Sequence, residues 1–170
     1  MGEYYDLVPK DYDKNLAYRS ELLDEAIENP GVREELWIAC SRDLLFYINM
    51  FCWTYDPRKA NGVLPFITYK FQDDSMRQIR DCILDGRDLV IKKSRDMGAS
   101  WMLLTVFEWF WHFKDGQSFL LVSRNEDYVD KTGNPKALFW KIDFIHKHLP
   151  NWMIPNITRT KLRLTNDDNG

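Results

Sequence analysis

The sequence predicts an α/β fold in which a parallel sheet is flanked by helices and preceded by an N-terminal helical segment. Two short apolar runs, 88–93 and 118–122, have the length and composition of buried strands, and each is followed by a stretch with helical periodicity. Hydrophobic residues make up 45% of the 170-residue chain, which is enough for one well-packed domain. We therefore predict a helical segment over 1–60 and the first part of an α/β domain over 61–170.

The N-terminal segment is predicted to contain two helices. Residues 14–29 place apolar side chains at helical spacing among acidic ones, which is typical of an amphipathic helix. Asn29 and Pro30 have the residue types of an N-cap and a first helical turn, so a second, more apolar helix is expected over Val32–Cys52. Turn-forming pairs then predict a loop: Asp56-Pro57 and Asn61-Gly62.

The second segment begins with a helix predicted over Tyr69–Leu84, and Asp85-Gly86 predicts its end. The strand 88–93 comes next and is followed by a short loop. Trp101–Phe113 is apolar on nearly all sides, which is typical of a helix packed against a sheet. The sequence therefore predicts a strand, a loop and a helix in immediate succession.

The remaining chain continues the alternation of strands and helices. Ser118–Val122 predicts a second buried strand, and Asn134-Pro135 precedes a helix expected over Lys136–His148. Alternating apolar and polar residues predict an edge strand over Ile157–Thr165. Residues 166–170 are turn-forming, so we expect a hairpin that continues further along the chain.

The charge distribution separates the two ends of the chain. A net charge of -3 and a pI near 5.6 are not typical of a domain whose whole surface binds nucleic acid. Ten acidic and four basic residues lie in 1–36, whereas the rest of the chain has sixteen acidic and nineteen basic residues. A polyanionic partner is therefore expected at the later part.

Cysteine usage favours a reducing compartment. The three cysteines, Cys40, Cys52 and Cys82, are odd in number and lack the CxxC spacing of zinc sites, so neither a disulfide framework nor a zinc site is predicted. Neither a leader peptide nor an uncharged apolar run of the roughly 18 residues that cross a membrane is apparent. We therefore expect a cytosolic protein that does not span a membrane.

The loop after the first predicted strand carries residues of a phosphate-binding loop. In such loops, backbone N–H groups and the positive end of the next helix surround phosphates, and a lysine and a hydroxyl complete the site. In the usual pattern, G-x-x-x-x-G-K-[ST], Gly98 and Ser100 match, whereas Lys93 replaces the first glycine and Ala99 the lysine. The eight positions are Lys93, Ser94, Arg95, Asp96, Met97, Gly98, Ala99 and Ser100.

The displaced lysine retains the positive charge that this chemistry needs. A lysine at the start of the loop can fold over the same phosphates, and Arg95 adds a second cation. Lys92 competes with Lys93 for this role, but neighbouring strand residues point to opposite faces, so only one faces the phosphates, and we favour Lys93. On these residues alone, an ordinary strand-to-helix turn without a ligand stays an open alternative.

The loop and the residues before it resemble those of bacteriophage terminase large subunits, the ATPase motors that package DNA. Members of this family have deviant Walker A loops, and some place the lysine at the first position, as Lys93 stands in K-S-R-D-M-G-A-S. The stretches 46–57 (FYINMFCWTYDP) and 65–72 (PFITYKFQ) resemble the family's lead-in to its adenine-contacting glutamine, here Gln72. The resemblance covers the chain from about residue 41 to residue 170.

The resemblance implies a P-loop NTPase domain of the RecA-like (ASCE) class that binds ATP and Mg2+. Lys93 would neutralise charge on the β- and γ-phosphates, Gly98 would let the backbone approach, and Ser100 would ligate Mg2+. Ser94, Asp96, Met97 and Ala99 would complete the loop. Arg95 would either sense the γ-phosphate or remain a solvated loop charge.

The same resemblance assigns two residues to the base. Gln72 would hydrogen-bond to the adenine edge through its amide, and Phe71 beside it would pack on the base. From the residues alone, Gln72 is interpreted as a polar helix residue, and Phe71 packs on either the base or the core.

The resemblance also implies an ATPase that moves double-stranded DNA in a homo-oligomeric ring, with a portal protein and a small terminase subunit as partners, in the host cytoplasm. Hydrolysis requires an apolar strand that ends in acidic residues, and residues 1–170 contain none. We expect this Walker B strand, and then a nuclease domain, beyond residue 170. Residues 1–170 alone are therefore expected to bind nucleotide weakly without turning it over.

A helicase-like motor with a similar core is an alternative to the terminase. Its loop would normally keep the lysine next to the Ser/Thr, where this chain has Ala99. An inert α/β module with no nucleotide site is the other alternative.

Other residues are weaker candidates for function. Arg124 follows the second predicted strand, and we expect it in a surface salt bridge. His146 and His148 face apart on a helix, so a solvated pair is expected rather than a metal site. Core positions are expected for the aromatic residues of the apolar helix: Trp101, Phe107, Trp109 and Trp111.

Overall fold

The computed structural model describes residues 4–94 and 97–169. The chain divides into two compact units: Met1–Thr68 with Phe144–Asn156, and Tyr69–Asp143 with Ile157–Gly170. The domain boundary predicted near residue 60 remains a prediction. Within the described ranges, no helix is both long and apolar enough to cross a membrane.

The first unit is built on three consecutive helices: α1 (Tyr12–Glu28), α2 (Pro30–Arg42) and α3 (Leu44–Phe51). The helix predicted over 14–29 is confirmed, but its buried side chains are Asn15, Arg19 and Ala26, and Ile27, expected on its apolar face, is 66% exposed. The predicted cap is also confirmed, because the Asn29 side chain accepts a hydrogen bond from the Gly31 N–H and Pro30 opens α2. A 3-10 turn, Tyr5–Leu7, precedes α1, and a second one, Asn151–Met153, belongs to the same unit.

The single helix predicted over Val32–Cys52 is wrong, because Asp43 interrupts it. Asp43 has an extended backbone, and its side chain accepts hydrogen bonds from the N–H groups of Leu45 and Phe46. Its second carboxylate oxygen accepts from the N–H groups of Tyr4 and Tyr5 at 3.2 and 2.8 Å. A buried aspartate that satisfies four N–H groups ends one helix and starts the next, which apolar periodicity alone did not indicate.

Arg19 of α1 anchors the C-terminal end of α3. Its guanidinium donates to the backbone oxygens of Asn49 and Cys52 at 2.7 and 3.0 Å, and to the Asn15 side chain at 2.8 Å. These bonds place a cation on carbonyls at the negative end of a helix. Burial lowers the pKa of Arg19 to about 10, so the group is charged at neutral pH.

A short hairpin follows α3, with strands β1 (Trp53–Tyr55) and β2 (Val63–Pro65) paired antiparallel. The two turn-forming pairs predicted from the sequence lie in the connection between these strands, although the strands themselves were not predicted. Gly62 in this connection has a φ of 66°, which favours glycine.

The second unit contains α4 (Lys70–Leu84), α5 (Ala99–Phe113) and α6 (Glu126–Val129). Helix α7 (Leu138–His148) contributes residues to both units. The helices predicted over Tyr69–Leu84, Trp101–Phe113 and Lys136–His148 are confirmed with small shifts of their ends. The stop predicted at Asp85-Gly86 is also confirmed, because Asp85 is the C-cap of α4 and Gly86 has a φ of 63°.

The predicted parallel sheet is not formed by the described residues. Segments 88–93 and 118–122 lie in irregular structure, and the described strand pairs are two antiparallel hairpins. Apolar side chains of both segments face solvent, with Val90 92% and Leu120 87% exposed. Composition predicts that a segment suits a strand, but a strand forms only where a neighbour receives its hydrogen bonds. The described fold is mixed α/β.

The edge strand predicted over Ile157–Thr165 is two strands, β3 (Ile157–Thr160) and β4 (Arg163–Asn166), which form a complete antiparallel hairpin. Leu162 in the turn has a φ of 62°, an unusual value for a residue with a side chain. Arg159 of β3 binds the carboxylates of Asp130 and Asp143, with N–O distances of 2.8 to 3.2 Å. The hydrogen bond from Arg159 lowers the pKa of Asp130.

Candidate nucleotide-binding loop

Helix α5 starts directly after a glycine whose backbone is in the left-handed region. Gly98 is the N-cap, has a φ of 74° and provides no side-chain cap. The first N–H groups of an α-helix have no acceptor inside the helix, and they lie at its positive end. Eight of the fifteen residues of α5 are buried, which holds the helix in the second unit.

Gln72 of α4 lies against this glycine. Its side-chain oxygen accepts a hydrogen bond from the Tyr69 N–H at 3.0 Å, which closes the capping box of α4. Its amide nitrogen lies 3.1 Å from the position that a Cβ atom at residue 98 would occupy. Gln72 and Gly98, which the sequence analysis assigned to the same site, therefore lie next to each other in the second unit.

The cationic start of the loop is open to solvent. Lys92, Lys93 and Ser94 are exposed, and within the described residues neither lysine makes an ion pair. Arg95 and Asp96, which the sequence assigned to the loop, lie outside the described residues. Lys93 is thus exposed at the start of the loop.

The other loop residues vary in exposure. Met97 and Ala99 are half-buried, and Ser100 in the first turn of α5 is exposed. The Ser100 hydroxyl is therefore available to a ligand at this end of the helix.

Two exposed aromatic rings flank Gln72. The rings of Tyr69 and Phe71 are stacked, with centroids 5.9 Å apart and planes 8° from parallel. Tyr69 is 70% exposed and Phe71 is 42% exposed. Phe71 packs on the Tyr69 ring and leaves much of its surface in solvent. Tyr69 was not singled out in the sequence, although its place three residues before Gln72 is the spacing of a capping box.

The remaining sequence candidates have ordinary structural contacts. The Arg124 guanidinium lies 3.8 Å from the Tyr128 ring centroid, so the expected salt bridge is replaced by a cation–π contact. His146 is buried and His148 donates to the Phe144 carbonyl at 2.7 Å, so the expected solvated pair is wrong. Trp109 is buried, as expected, whereas Trp101, Phe107 and Trp111 are half-buried.

A buried ionisable pair inside α5 was missed. Glu108 Oε1 and His112 Nδ1 lie 2.9 Å apart, within hydrogen-bond distance, and both side chains are fully buried. Glu108 also lines a cavity of about 330 Å³ that is bordered by the rings of Phe107, Phe119 and Phe139. The four-residue spacing of a glutamate and a histidine on one helix was the available signal.

Comparisons with models of known protein families, with curated proteins and with solved structures give no match. Any functional assignment therefore depends on the residues themselves and on the geometry around Gly98.

Proposed function

We propose that the loop Lys93–Ser100 binds the phosphates of ATP with Mg2+, as part of the motor ATPase of a terminase large subunit. The observation that carries this proposal is the position of the Gln72 amide against Gly98 at the N-terminus of α5. Both residues were assigned to this site from the sequence, Gly98 by the loop pattern and Gln72 by the family resemblance of the residues before the loop.

The chemistry around Gly98 suits a polyphosphate. The first-turn N–H groups of α5 and the helix dipole attract an anion. Lys93 supplies a mobile cation at the start of the loop, and the exposed Ser100 hydroxyl supplies a Mg2+ ligand. Together they provide the groups that nucleotide-binding loops use.

In this proposal, segments 88–93 and 118–122, which are irregular in the described structure, would become strands of a P-loop sheet when neighbouring strands receive their hydrogen bonds. This interpretation is supported by the exposure of Val90 and Leu120, because apolar side chains in strand-like runs are normally covered. Residues 1–170 would then bind ATP without hydrolysing it, and the portal protein, the small terminase subunit and double-stranded DNA would be partners of the complete motor.

Titration of ATP with Mg2+ by isothermal calorimetry tests the proposal. We expect the wild-type chain to bind, Lys93→Ala to weaken binding roughly tenfold or more, as for the loss of a charged hydrogen-bond partner, and Lys92→Ala to have a smaller effect. Circular dichroism shows whether each variant is folded. No binding by the folded wild-type chain, or equal affinity of wild type and Lys93→Ala, would leave the loop as an inert strand-to-helix turn.

A further inference from the structure

We infer that one face of α1 is a docking surface for an amphipathic helix of a partner protein, with Lys and Arg beside the apolar row of that helix. The surface consists of four apolar side chains, which we call the α1 stripe: Tyr12, Leu16, Leu23 and Ile27. It lies in the first unit and does not include the nucleotide-binding loop.

The α1 stripe follows from the geometry of an α-helix. Its members are separated by 4, 7 and 4 residues along the chain. At 3.6 residues per turn, this spacing places all four side chains within an arc of roughly 60°. They therefore form one row along most of the 17-residue helix.

Polar side chains, and not the α1 stripe, attach α1 to the rest of its unit. The buried residues of the helix are Asn15, Arg19 and Ala26. The Asn15 amide and the Arg19 guanidinium donate to the backbone oxygen of Asn49 at 3.2 and 2.7 Å. The apolar row is therefore not needed to hold the helix in place.

The α1 stripe is open to solvent along its length. Ile27 is 66% exposed and Tyr12 is 49% exposed, whereas Leu16 and Leu23 are half-buried. Single exposed apolar residues are common on protein surfaces. An aligned row of them on one helix is typical of a surface that a partner helix covers.

The helix that carries the α1 stripe is capped at both ends. The Asp11 side chain accepts a hydrogen bond from the Lys14 N–H at 3.1 Å. At the other end, the Arg33 guanidinium donates to the backbone oxygens of Ala26 and Ile27, the latter at 2.6 Å. The surface is therefore formed before a partner binds, which lowers the entropic cost of association.

The charge beside the α1 stripe identifies the kind of partner. Three exposed acidic residues follow the stripe around the helix, on the side away from the buried face: Asp13, Asp24 and Glu28. Within the described ranges, none of the three is in an ion pair. Opposite charges across an interface favour and align a partner, whereas like charges repel it. A basic amphipathic helix therefore suits this surface, and a second copy of α1 does not.

The test uses two synthetic amphipathic helices that share the same row of leucines. The Lys peptide has lysines beside this row, and the Glu peptide has glutamates at the same positions. Fluorescence anisotropy gives the affinity of each peptide for the 170-residue chain. We expect the Lys peptide to bind and the Glu peptide to bind at least roughly tenfold more weakly.

Two sets of variants separate the apolar and the charged contributions. Tyr12→Gln combined with Ile27→Gln should weaken binding of the Lys peptide roughly tenfold, because apolar surface is no longer covered. Asp24→Asn combined with Glu28→Gln should weaken it several-fold, and mainly at low salt.

Matched controls exist for both sets. Leu84→Gln removes an apolar side chain that is 67% exposed on α4, and Glu34→Gln combined with Glu35→Gln removes two exposed acids from α2. Both controls should bind the Lys peptide nearly as well as wild type. Circular dichroism and thermal unfolding show that each variant is folded.

Four outcomes would overturn the inference. They are a folded chain that does not bind the Lys peptide, equal affinity for the two peptides, and equal effects of the stripe variant and Leu84→Gln on Lys-peptide affinity. The fourth is self-association of the free chain in sedimentation velocity that Tyr12→Gln with Ile27→Gln abolishes, because the α1 stripe would then bind a second copy.

Discussion

The side-chain nitrogen of Gln72 lies 3.1 Å from the place that a Cβ atom at Gly98 would take. Residue 98 is therefore restricted in two independent ways. Its φ of 74° is one that residues with a Cβ rarely adopt, and an added Cβ atom would lie only 3.1 Å from the Gln72 amide nitrogen. The start of α5 and the position of Gln72 are coupled through this one glycine.

Gly98→Ala is expected to destabilise the chain by more than about 1 kcal/mol, because backbone strain and displacement of the Gln72 amide add together. It should also lower ATP–Mg affinity, since the backbone at the start of α5 would shift. Urea unfolding and calorimetry measure the two effects.

Gly86→Ala is the matched control for this change. Gly86 has a similar φ of 63°, but nothing lies within 4 Å of an added Cβ atom, so this variant reports strain alone. Equal losses of stability in the two variants, with wild-type affinity in both, would show that the contact with Gln72 has no energetic role.

Ser100→Ala is expected to weaken ATP binding in the presence of Mg2+ and to leave binding in EDTA nearly unchanged. The reason is that the hydroxyl would ligate the metal and not the nucleotide. Calorimetry under both conditions gives the ratio of affinities, and Ser20→Ala, at an exposed serine of α1, is the control. An equal loss with and without Mg2+ would remove the metal role of Ser100.

Lys141 is expected to make stability depend on pH. Its amine donates to the backbone oxygens of Pro135 and Ala137 at 2.7 and 3.2 Å, and burial lowers its pKa to about 8. Between this value and the unfolded pKa near 10.4, the unfolded state binds more protons, so the free energy of unfolding rises with pH. Below pH 8 both states are charged, and the cost of burying the charge is fully present.

Urea unfolding at pH 7 and pH 9.5 checks this expectation. Between pH 7 and pH 9.5, the free energy of unfolding should rise more for the wild-type chain than for Lys141→Met. Other groups titrate in both proteins, so the difference between the two reports Lys141. Parallel pH dependence of the two proteins would show that the buried amine does not titrate in this range.

Arg159→Met is expected to loosen the C-terminal hairpin. The change removes a guanidinium that holds two carboxylates, Asp130 and Asp143, and leaves both without this partner, at a cost of roughly 1–3 kcal/mol. Hydrogen exchange of 157–166 should become faster. Arg163→Met, at an exposed arginine of the same hairpin, should change exchange little. Equal rates of hydrogen exchange over 157–166 in Arg159→Met and Arg163→Met would show that the ion pairs of Arg159 do not stabilise the hairpin.

Local signals account for the parts of the fold that were predicted. Asn29 and Pro30 determine where α2 begins, and Asp85 and Gly86 where α4 ends, because caps act within a few residues. The break at Asp43 was missed because its carboxylate is stabilised partly by Tyr4 and Tyr5, which are distant in sequence. The spacing of apolar residues along the chain does not indicate contacts between residues that are distant in sequence.

The sequence by itself determined the helices, the glycine at the start of α5 and the residue types of a phosphate-binding loop. Only the tertiary structure decided that segments 88–93 and 118–122 have no strand neighbours in the described part of the chain, and that Gln72 turns its nitrogen toward Gly98. An α-helix forms its backbone hydrogen bonds between residues that are near each other in sequence. The hydrogen bonds of a strand, and the contacts that bring side chains together at one site, depend on residues that are distant along the chain.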